Sequence, residues 1–278
     1  MTERITLELK DEDALVLEHL IDKKKIKNKK EAIMLIIRNS IAKIFIKEAF
    51  ILAGGKGTRM RPFTYEIPKA LIPVKGKPIL EYILELLRKY EIRNAIISVG
   101  YLGQKIQEYF GDGSKFGMNI TYIEEREEFG TAGPLRLAEE KLRRPFLMFN
   151  GDVLSNINLN KLIKFHLLHK GLATVTLVKV PDVSNFGTVK MDGNKISQFV
   201  EKPNICCEGF INAGIYVLDP KVISYVPKGF SMIEKDVFPR LASEGKLFGY
   251  KFQGQWFDTG THEAYEKAIK EWRGINLN

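Results

Sequence analysis

Residues 53–74 read AGGKGTRMRPFTYEIPKALIPV, which crowds Gly54, Gly55, Gly57, Thr58, Arg59, Arg61 and Lys69 into one short stretch. Such a loop is poor core material and well suited to an anion. Glycine lets backbone N–H groups approach a phosphate closely, and the cations add charge. The apolar run Ala49-Phe50-Ile51-Leu52 comes directly before it, so the loop is expected at the carboxyl edge of a sheet, where open α/β folds bind ligands. Two common phosphate loops are excluded by spacing. GGKGTRMR lacks the G-x-x-x-x-G-K-[ST] pattern, and Gly55-Lys56-Gly57 is followed by Thr58, Arg59 and Met60 with no third glycine.

The elements that must position this loop alternate. AFILAG reads as a buried strand, PILEYILELLRKY as a helix with Ile79, Leu80, Ile83, Leu84 and Leu87 on one face, and NAIISVG as a strand. LGQKIQEYFG is a helix closed by Gly111, MNITYIEE a strand, AGPLRLAEEKL a helix, PFLMFNGD a strand and LNKLIKFHLLHKG a helix. This rhythm predicts an α/β fold, a Rossmann-like, mixed, mostly parallel sheet with helices on both faces. After the strand LATVTLVKV the pattern changes. GTVKMDGNKISQFVEK predicts a hairpin turning at Asp192-Gly193, INAGIYVLDP a strand, SMIEKDVFPRLASEG a helix capped by Ser231 with Glu234, KLFGYKFQGQWFD a second hairpin and THEAYEKAIKEW a last helix.

Residues 1–47 differ in character from residues 48–278, and the join is placed near residues 44–48. Ile5, Leu7 and Leu9 alternate with Arg4, Thr6 and Glu8 as in a strand; Leu15, Leu17, Leu20 and Ile21 follow at helical spacing after Asp11-Glu12-Asp13. Asn28, with Glu31 three residues on, opens a further helix striped by Ile33, Ile36, Ile37 and Ile41. This strand-helix-helix segment is too small to bury a core alone. It resembles the ribbon-helix-helix family, in which two chains pair strands and interlock helices, and the resemblance implies a homodimer or higher homo-oligomer formed through residues 1–47. In that family the outward strand residues read DNA, here Arg4, Thr6 and Glu8, and Lys29 and Lys30 would face phosphate. Glu8 on that face repels phosphate, so DNA is not the favoured partner.

Of the 278 residues, 45% are hydrophobic and 28% charged, an ordinary globular composition with room for a large core. No apolar run reaches the roughly 18–20 residues of a membrane span, so no membrane partner is expected. The acidic opening MTERITLELKDED does not read as a secretory signal, and the adjacent Cys206 and Cys207 cannot build a disulfide framework, which together suggest a reducing, cytoplasmic location. A formal charge of +9 suits nucleic acid, a membrane surface or small anionic substrates, and equally a solvated basic surface.

The run GGKGTRMRPFTYEIPKALIPVKGKPIL closely resembles the signature of the sugar-phosphate nucleotidyltransferases, which join a nucleoside triphosphate to a sugar 1-phosphate and release pyrophosphate. The resemblance extends in order over residues 49–272: GTAGPL at 130–135, NGD at 150–152, FG at 186–187, EKP at 201–203, NAGIYV at 212–217 and WFDTG at 256–260. It implies a nucleotide site of Leu52, Ala53, Gly54, Gly55, Gly57, Thr58, Arg59, Gly130 and Thr131. It also implies catalytic cations Arg59, Lys69 and Lys202, and a sugar pocket of Gly187, Glu201, Lys202 and Asn212. Mg²⁺ is implied on Asp152 and Asp258; a hard cation of this kind takes carboxylate and phosphate oxygens. GTAGPLRLA and SMIEKDVFPRLASEGKLFGYKFQGQWFDTG look like the mannose-1-phosphate guanylyltransferase branch, which points to GTP and mannose 1-phosphate. A glucose-1-phosphate uridylyl- or thymidylyltransferase is the alternative pair, and a sugar-nucleotide-responsive DNA-binding regulator is the alternative from another class. Three features carry no expected role. His166 and His169 lack a third metal ligand, Glu124-Glu125-Arg126-Glu127-Glu128 reads as a solvated rim, and no motif makes Cys206-Cys207 reactive.

Overall fold

The computed structural model describes residues 6, 8–24, 27–34, 36, 45–203 and 206–275. These residues include thirteen strands: β1 (Glu48–Ala53), β2 (Pro73–Val74), β3 (Lys77–Pro78), β4 (Asn94–Val99), β5 (Asn119–Glu124), β6 (Phe146–Asn150), β7 (Val153–Ser155), β8 (Ala173–Val180), β9 (Gly187–Asp192), β10 (Lys195–Glu201), β11 (Gly209–Leu218), β12 (Leu247–Lys251) and β13 (Trp256–Asp258). Nine form one sheet in the order β5-β4-β1-β6-β11-β8-β12-β10-β9. Its first four strands are parallel, and antiparallel pairing begins where β11 joins β6. Alternate side chains of β1 feed two cores. Ala49 and Ile51 pack on one face with Leu80, Ile83 and Leu87, while Phe50 packs on the other with Leu135, Met148 and Phe238. An uninterrupted apolar strand has this meaning: it is covered on both faces, as a central parallel strand must be.

Helices bounded at both ends by described residues are α1 (Asp11–Lys24), α2 (Ile79–Lys89), α3 (Gly103–Phe110), α4 (Gly133–Leu137), α5 (Leu159–His169), α6 (Phe238–Ser243) and α7 (His262–Glu271). All five apolar residues predicted on the face of α2 are buried. The β9–β10 hairpin turns where expected, with Gly193 at φ +57°, a left-handed position that glycine takes without steric cost.

Several expectations need correction. The helix predicted over AGPLRLAEEKL is only the short α4; the chain continues in turns that still bury Ala138 and Leu142. KLFGYKFQGQWFD is not a hairpin. β12 runs parallel to β8, and β13 leaves it to pair with β7. Asn156 directs this departure, since its Oδ1 accepts from Gln255 N at 2.9 Å and its N–H donates to Gln255 O at 3.2 Å. Ser231 caps no helix; the stretch Ile233–Val237 is a π-helical turn leading into α6.

In the N-terminal segment, Thr6 and residues 8–10 are not in a strand, because a lone strand has no ladder partner within one chain. Arg4, Ile5, Leu7, Ile37 and Ile41 lie outside the described residues. Residues 29–34 are helical and begin as expected, with Glu31 N donating to Asn28 Oδ1 and Lys27 N to Glu31 Oε2, both at 2.9 Å. In α1, Leu17 is buried and Leu15 is 66% exposed.

Candidate active site

Two adjoining clefts open at the carboxyl ends of β1 and β6. The larger, about 390 Å³, is lined by Leu52 to Gly55, Gly57 to Arg59, Lys69, Glu125, Gly130, Thr131 and Asp152; the smaller, about 140 Å³, by Gly187, Glu201, Lys202, Asn212, Glu234 and Asp258. Every residue anticipated as a site residue lies on one or both, so residues from distant parts of the chain share a single site.

The glycine loop is shaped from behind. Thr64 Oγ1 donates to Gly57 O at 2.9 Å, and a Cβ at Gly57, whose φ is +59°, would lie 2.8 Å from Thr64 Cγ2. Among the described residues, no protein acceptor takes the N–H groups of Gly55, Lys56, Gly57 or Thr58. These unmet donors beside Arg59 and Lys69 form an anion cradle.

Asp152 sits in the turn between β6 and β7, and Asp258 ends β13. The β7–β13 ladder sets Asp258 opposite Val153, while Thr259 clamps the Asp152 carbonyl through its N–H at 3.1 Å and its hydroxyl at 2.8 Å. Asp258 Oδ1, Arg59 Nη2 and Lys69 Nζ lie 2.8, 3.0 and 3.3 Å from the point where a Cβ on Gly260 would stand, so their heads converge. Lys69 Nζ pairs with Asp152 Oδ2. Burial alone would raise the Asp152 carboxyl, but the charges of Lys69 and Arg59 hold it below the ordinary carboxylate range. Asp258 is pushed up by burial and then by the Asp152 charge beside it.

In the smaller cleft Gly187 stands opposite Glu201 in the β9–β10 ladder, where a side chain would meet Glu201 Oε2 at 2.7 Å. Burial pushes Glu201 up, with Lys202 and Lys235 opposing. Lys202 extends from a left-handed residue, φ +49°, held by its N–H on Phe186 O at 3.1 Å. Asn212 is partly committed: Nδ2 donates to Tyr216 Oη at 2.9 Å and Oδ1 accepts from Gly214 N at 3.0 Å, leaving one donor and one acceptor position for a ligand.

A model of the nucleotidyl transferase family matches residues 48–273. The chain belongs to the nucleotidyl transferase family. It is 40% identical over 230 residues to "Probable mannose-1-phosphate guanylyltransferase 2" of Oryza sativa subsp. japonica, a match that takes in 80% of this chain and 64% of that one. Among solved structures it resembles a Bacillus anthracis chain described as a glucose-1-phosphate thymidylyltransferase, in complex with a sucrose (TM-score 0.77, 28% identity, 83% of this chain and 97% of that chain). HddC from Yersinia pseudotuberculosis complexed with GMP-PN is similar too (TM-score 0.72, 27% identity, 82% of this chain and 100% of that chain).

Three residues that line the clefts escape the sequence reading. Glu125, expected on a solvated rim, is half-buried against Gly54 and accepts from Ser98 Oγ at 2.7 Å, and burial raises its carboxyl. Glu128 does sit on the rim, 2.8 Å from Lys56 Nζ across the cleft mouth. Glu234, expected as a capping-box partner, is buried; its carboxyl takes a hydrogen bond from the Thr131 hydroxyl and is raised to about 7 by burial. Thr131 Oγ1 in turn accepts from Ile233 N at 2.9 Å. The cap of this turn therefore comes from a residue 102 positions away, which no local pattern reveals. Asn150, the third, lines both clefts.

Thr131→Val is expected to remove the cap and the Glu234 partner together. The cost is roughly 1–2 kcal/mol, a fall in melting temperature of about 2–8 °C, read by calorimetry against Thr131→Ser, which keeps the hydroxyl. Of the features set aside, His166 is buried. His166 Nδ1 lies 3.0 Å from Thr174 Oγ1 and burial lowers the imidazole to about 4, while His169 Nδ1 lies 2.8 Å from Phe165 O. Cys206 and Cys207 are free and exposed.

Proposed function

We propose that this chain transfers a nucleoside monophosphate from a nucleoside triphosphate, with GTP favoured, to a sugar 1-phosphate, with mannose 1-phosphate favoured, giving an NDP-sugar and pyrophosphate. The observation that carries the reading is the meeting of Asp152, Asp258, Arg59 and Lys69 between two adjoining clefts, one cradled for phosphates and one polar enough for a sugar. An oxygen of the sugar 1-phosphate attacks the α-phosphorus as the bond to pyrophosphate breaks. That oxygen is ionised at neutral pH, so the chain has no proton to remove.

The N–H groups of the glycine loop hold the triphosphate, and Arg59 and Lys69 offset charge developing at phosphorus. Lys202 holds the acceptor's phosphate, and Glu201 accepts from sugar hydroxyls. Asp152 and Asp258 fit Mg²⁺: they bring hard oxygen donors together, and the charge of one raises the other, a repulsion that a divalent cation relieves. No group of three or more His, Cys, Asp or Glu side chains converges among the described residues, so phosphate and water oxygens would complete the shell. Bound there, Mg²⁺ supplies charge neutralisation on the transferring phosphate.

GTP is supported by the name of the Oryza sativa relative, by the GMP-PN complex of HddC and by Glu125, whose carboxylate suits the donor edge of guanine. The test is pyrophosphate release from GTP, ATP, CTP, UTP and dTTP, each against several sugar 1-phosphates with Mg²⁺. GTP with mannose 1-phosphate is expected to lead. UTP or dTTP leading with glucose 1-phosphate would install the alternative pair, and release with no combination would remove the enzyme.

The segment 1–47 is proposed as a dimerisation unit, supported by Leu9, Leu15, Met34 and Ile36, all exposed on it. Light scattering returning the 31.8 kDa of one chain would refute this. The DNA-binding reading gains no support from Lys29, whose ammonium lies 2.7 Å from Glu18 Oε1. Among the described residues no helix is long and apolar enough to cross a membrane, and the free cysteines support a reducing, cytoplasmic setting.

A further inference from the structure

Among the described residues, only three line both clefts: Arg59, Asp152 and Asn150. Two are charged and belong to the phosphate chemistry. The third is a neutral amide at the last position of β6, opposite Leu52 in the β1–β6 ladder and two residues before Asp152. Its Oδ1 is buried and has no hydrogen-bond partner among the described residues. Turning the amide over would exchange Oδ1 for Nδ2 at that buried position and leave an amide atom in want of a partner. A buried polar atom without a partner is costly, and native structures seldom keep one without a use for it.

Gly214 makes room for this amide. It bends β11 at φ +70°, where the β8–β11 register breaks between Asn212 and Tyr216, and a Cβ there would lie 2.9 Å from Asn150 Nδ2. The bulge therefore seats a side chain that the protein leaves unsatisfied, on the wall shared by the two clefts.

We infer that Asn150 is a specificity-determining residue whose amide binds a carbohydrate hydroxyl at the junction of the clefts, on either the ribose of the donor nucleotide or the hexose of the acceptor. This rests on the proposed transfer reaction. An amide suits the task because it both donates and accepts, as a hydroxyl does, and adds no charge beside Asp152. A site built to pair with a hydroxyl rejects the ligand that lacks it, because the polar group is then left unpaired.

The experiment compares the full-length wild type with Asn150→Ala and the near-isosteric Asn150→Leu, with folding confirmed by circular dichroism. Calorimetric binding is measured for GTP, 2′-deoxy-GTP and 3′-deoxy-GTP in one arm, and for mannose 1-phosphate and its monodeoxy analogues in the other. In one arm the wild type should bind one deoxy ligand roughly tenfold more weakly than the parent, and both variants should bind that pair about equally. The arm that responds identifies the ribose or the hexose. A wild type that distinguishes no deoxy ligand, or variants that keep its full discrimination in both arms, would overturn the inference. Pyrophosphate release by the wild type is measured alongside; its absence would count against the transfer reaction, while the binding ratios still decide the role of Asn150.

Discussion

Asp152→Asn and Asp258→Asn should each lower pyrophosphate release by at least about a hundredfold, the scale of losing one key charge stabiliser, yet move stability in opposite directions. The contrast follows from their surroundings. Asp152 is held below the ordinary carboxylate range because Lys69 and Arg59 outweigh the burial that would raise it. A group with a depressed folded pKa stabilises the fold above its unfolded value and loses that contribution as pH falls through the folded value, here below about 4. Asp152→Asn removes it at pH 7 and leaves the largely buried Lys69 ammonium unpaired, a loss of about 1–3 kcal/mol. Asp258 is the reverse case, raised by burial and by its neighbour's charge. Its ionised form costs stability at neutral pH, and the cost fades as pH falls through the raised value. Asp258→Asn should therefore raise the melting temperature at pH 7 and have less effect near pH 4. Calorimetry across pH reads the two signs. Equal destabilisation by both variants would mean that the two carboxyls do not share one field, and near-normal turnover in either would remove that residue from the site.

The legible parts of the chain were those in which pattern and environment coincide. β1 and α2 read correctly because an apolar run or a 3.6-residue stripe reports directly on what covers it. The glycine loop stands out as a candidate because cations and glycines have little use in a core, and the ordered motifs name the remaining candidate positions that the clefts bring together. What failed was non-local. KLFGYKFQGQWFD has the composition of a hairpin, but its second half is claimed by β7, and that same pairing brings Asp258 to Asp152. Thr131 looks like the start of α4, yet its hydroxyl serves Ile233 and Glu234. Glu125 sits in an acidic run, and only the closeness of Gly54 and Ser98 turns it inward. A one-dimensional pattern records how a residue meets its own element. It does not record which distant backbone will need the side chain.

Lys202 offers the cleanest separation of binding from folding. Its side chain is 58% exposed and its ammonium comes no closer than 3.9 Å to Glu201, so the fold draws little from its charge; the backbone N–H bond to Phe186 is indifferent to the side chain. Lys202→Met should leave the melting temperature within about 1–2 °C of wild type, as neutral surface substitutions do. On the proposed reaction the same variant would lose one charge-assisted contact to the acceptor's phosphate, typically 1.5–3 kcal/mol, so kcat/KM for the sugar 1-phosphate should fall roughly 10- to 100-fold. KM for the nucleotide should hold, because Lys202 lines only the smaller cleft. Salt adds an independent readout: raising ionic strength should raise the wild-type KM for the sugar 1-phosphate more than that of Lys202→Met, since an exposed ammonium is easily screened. Equal losses for nucleotide and sugar phosphate would instead place Lys202 on the triphosphate, and a large fall in melting temperature would make its role structural.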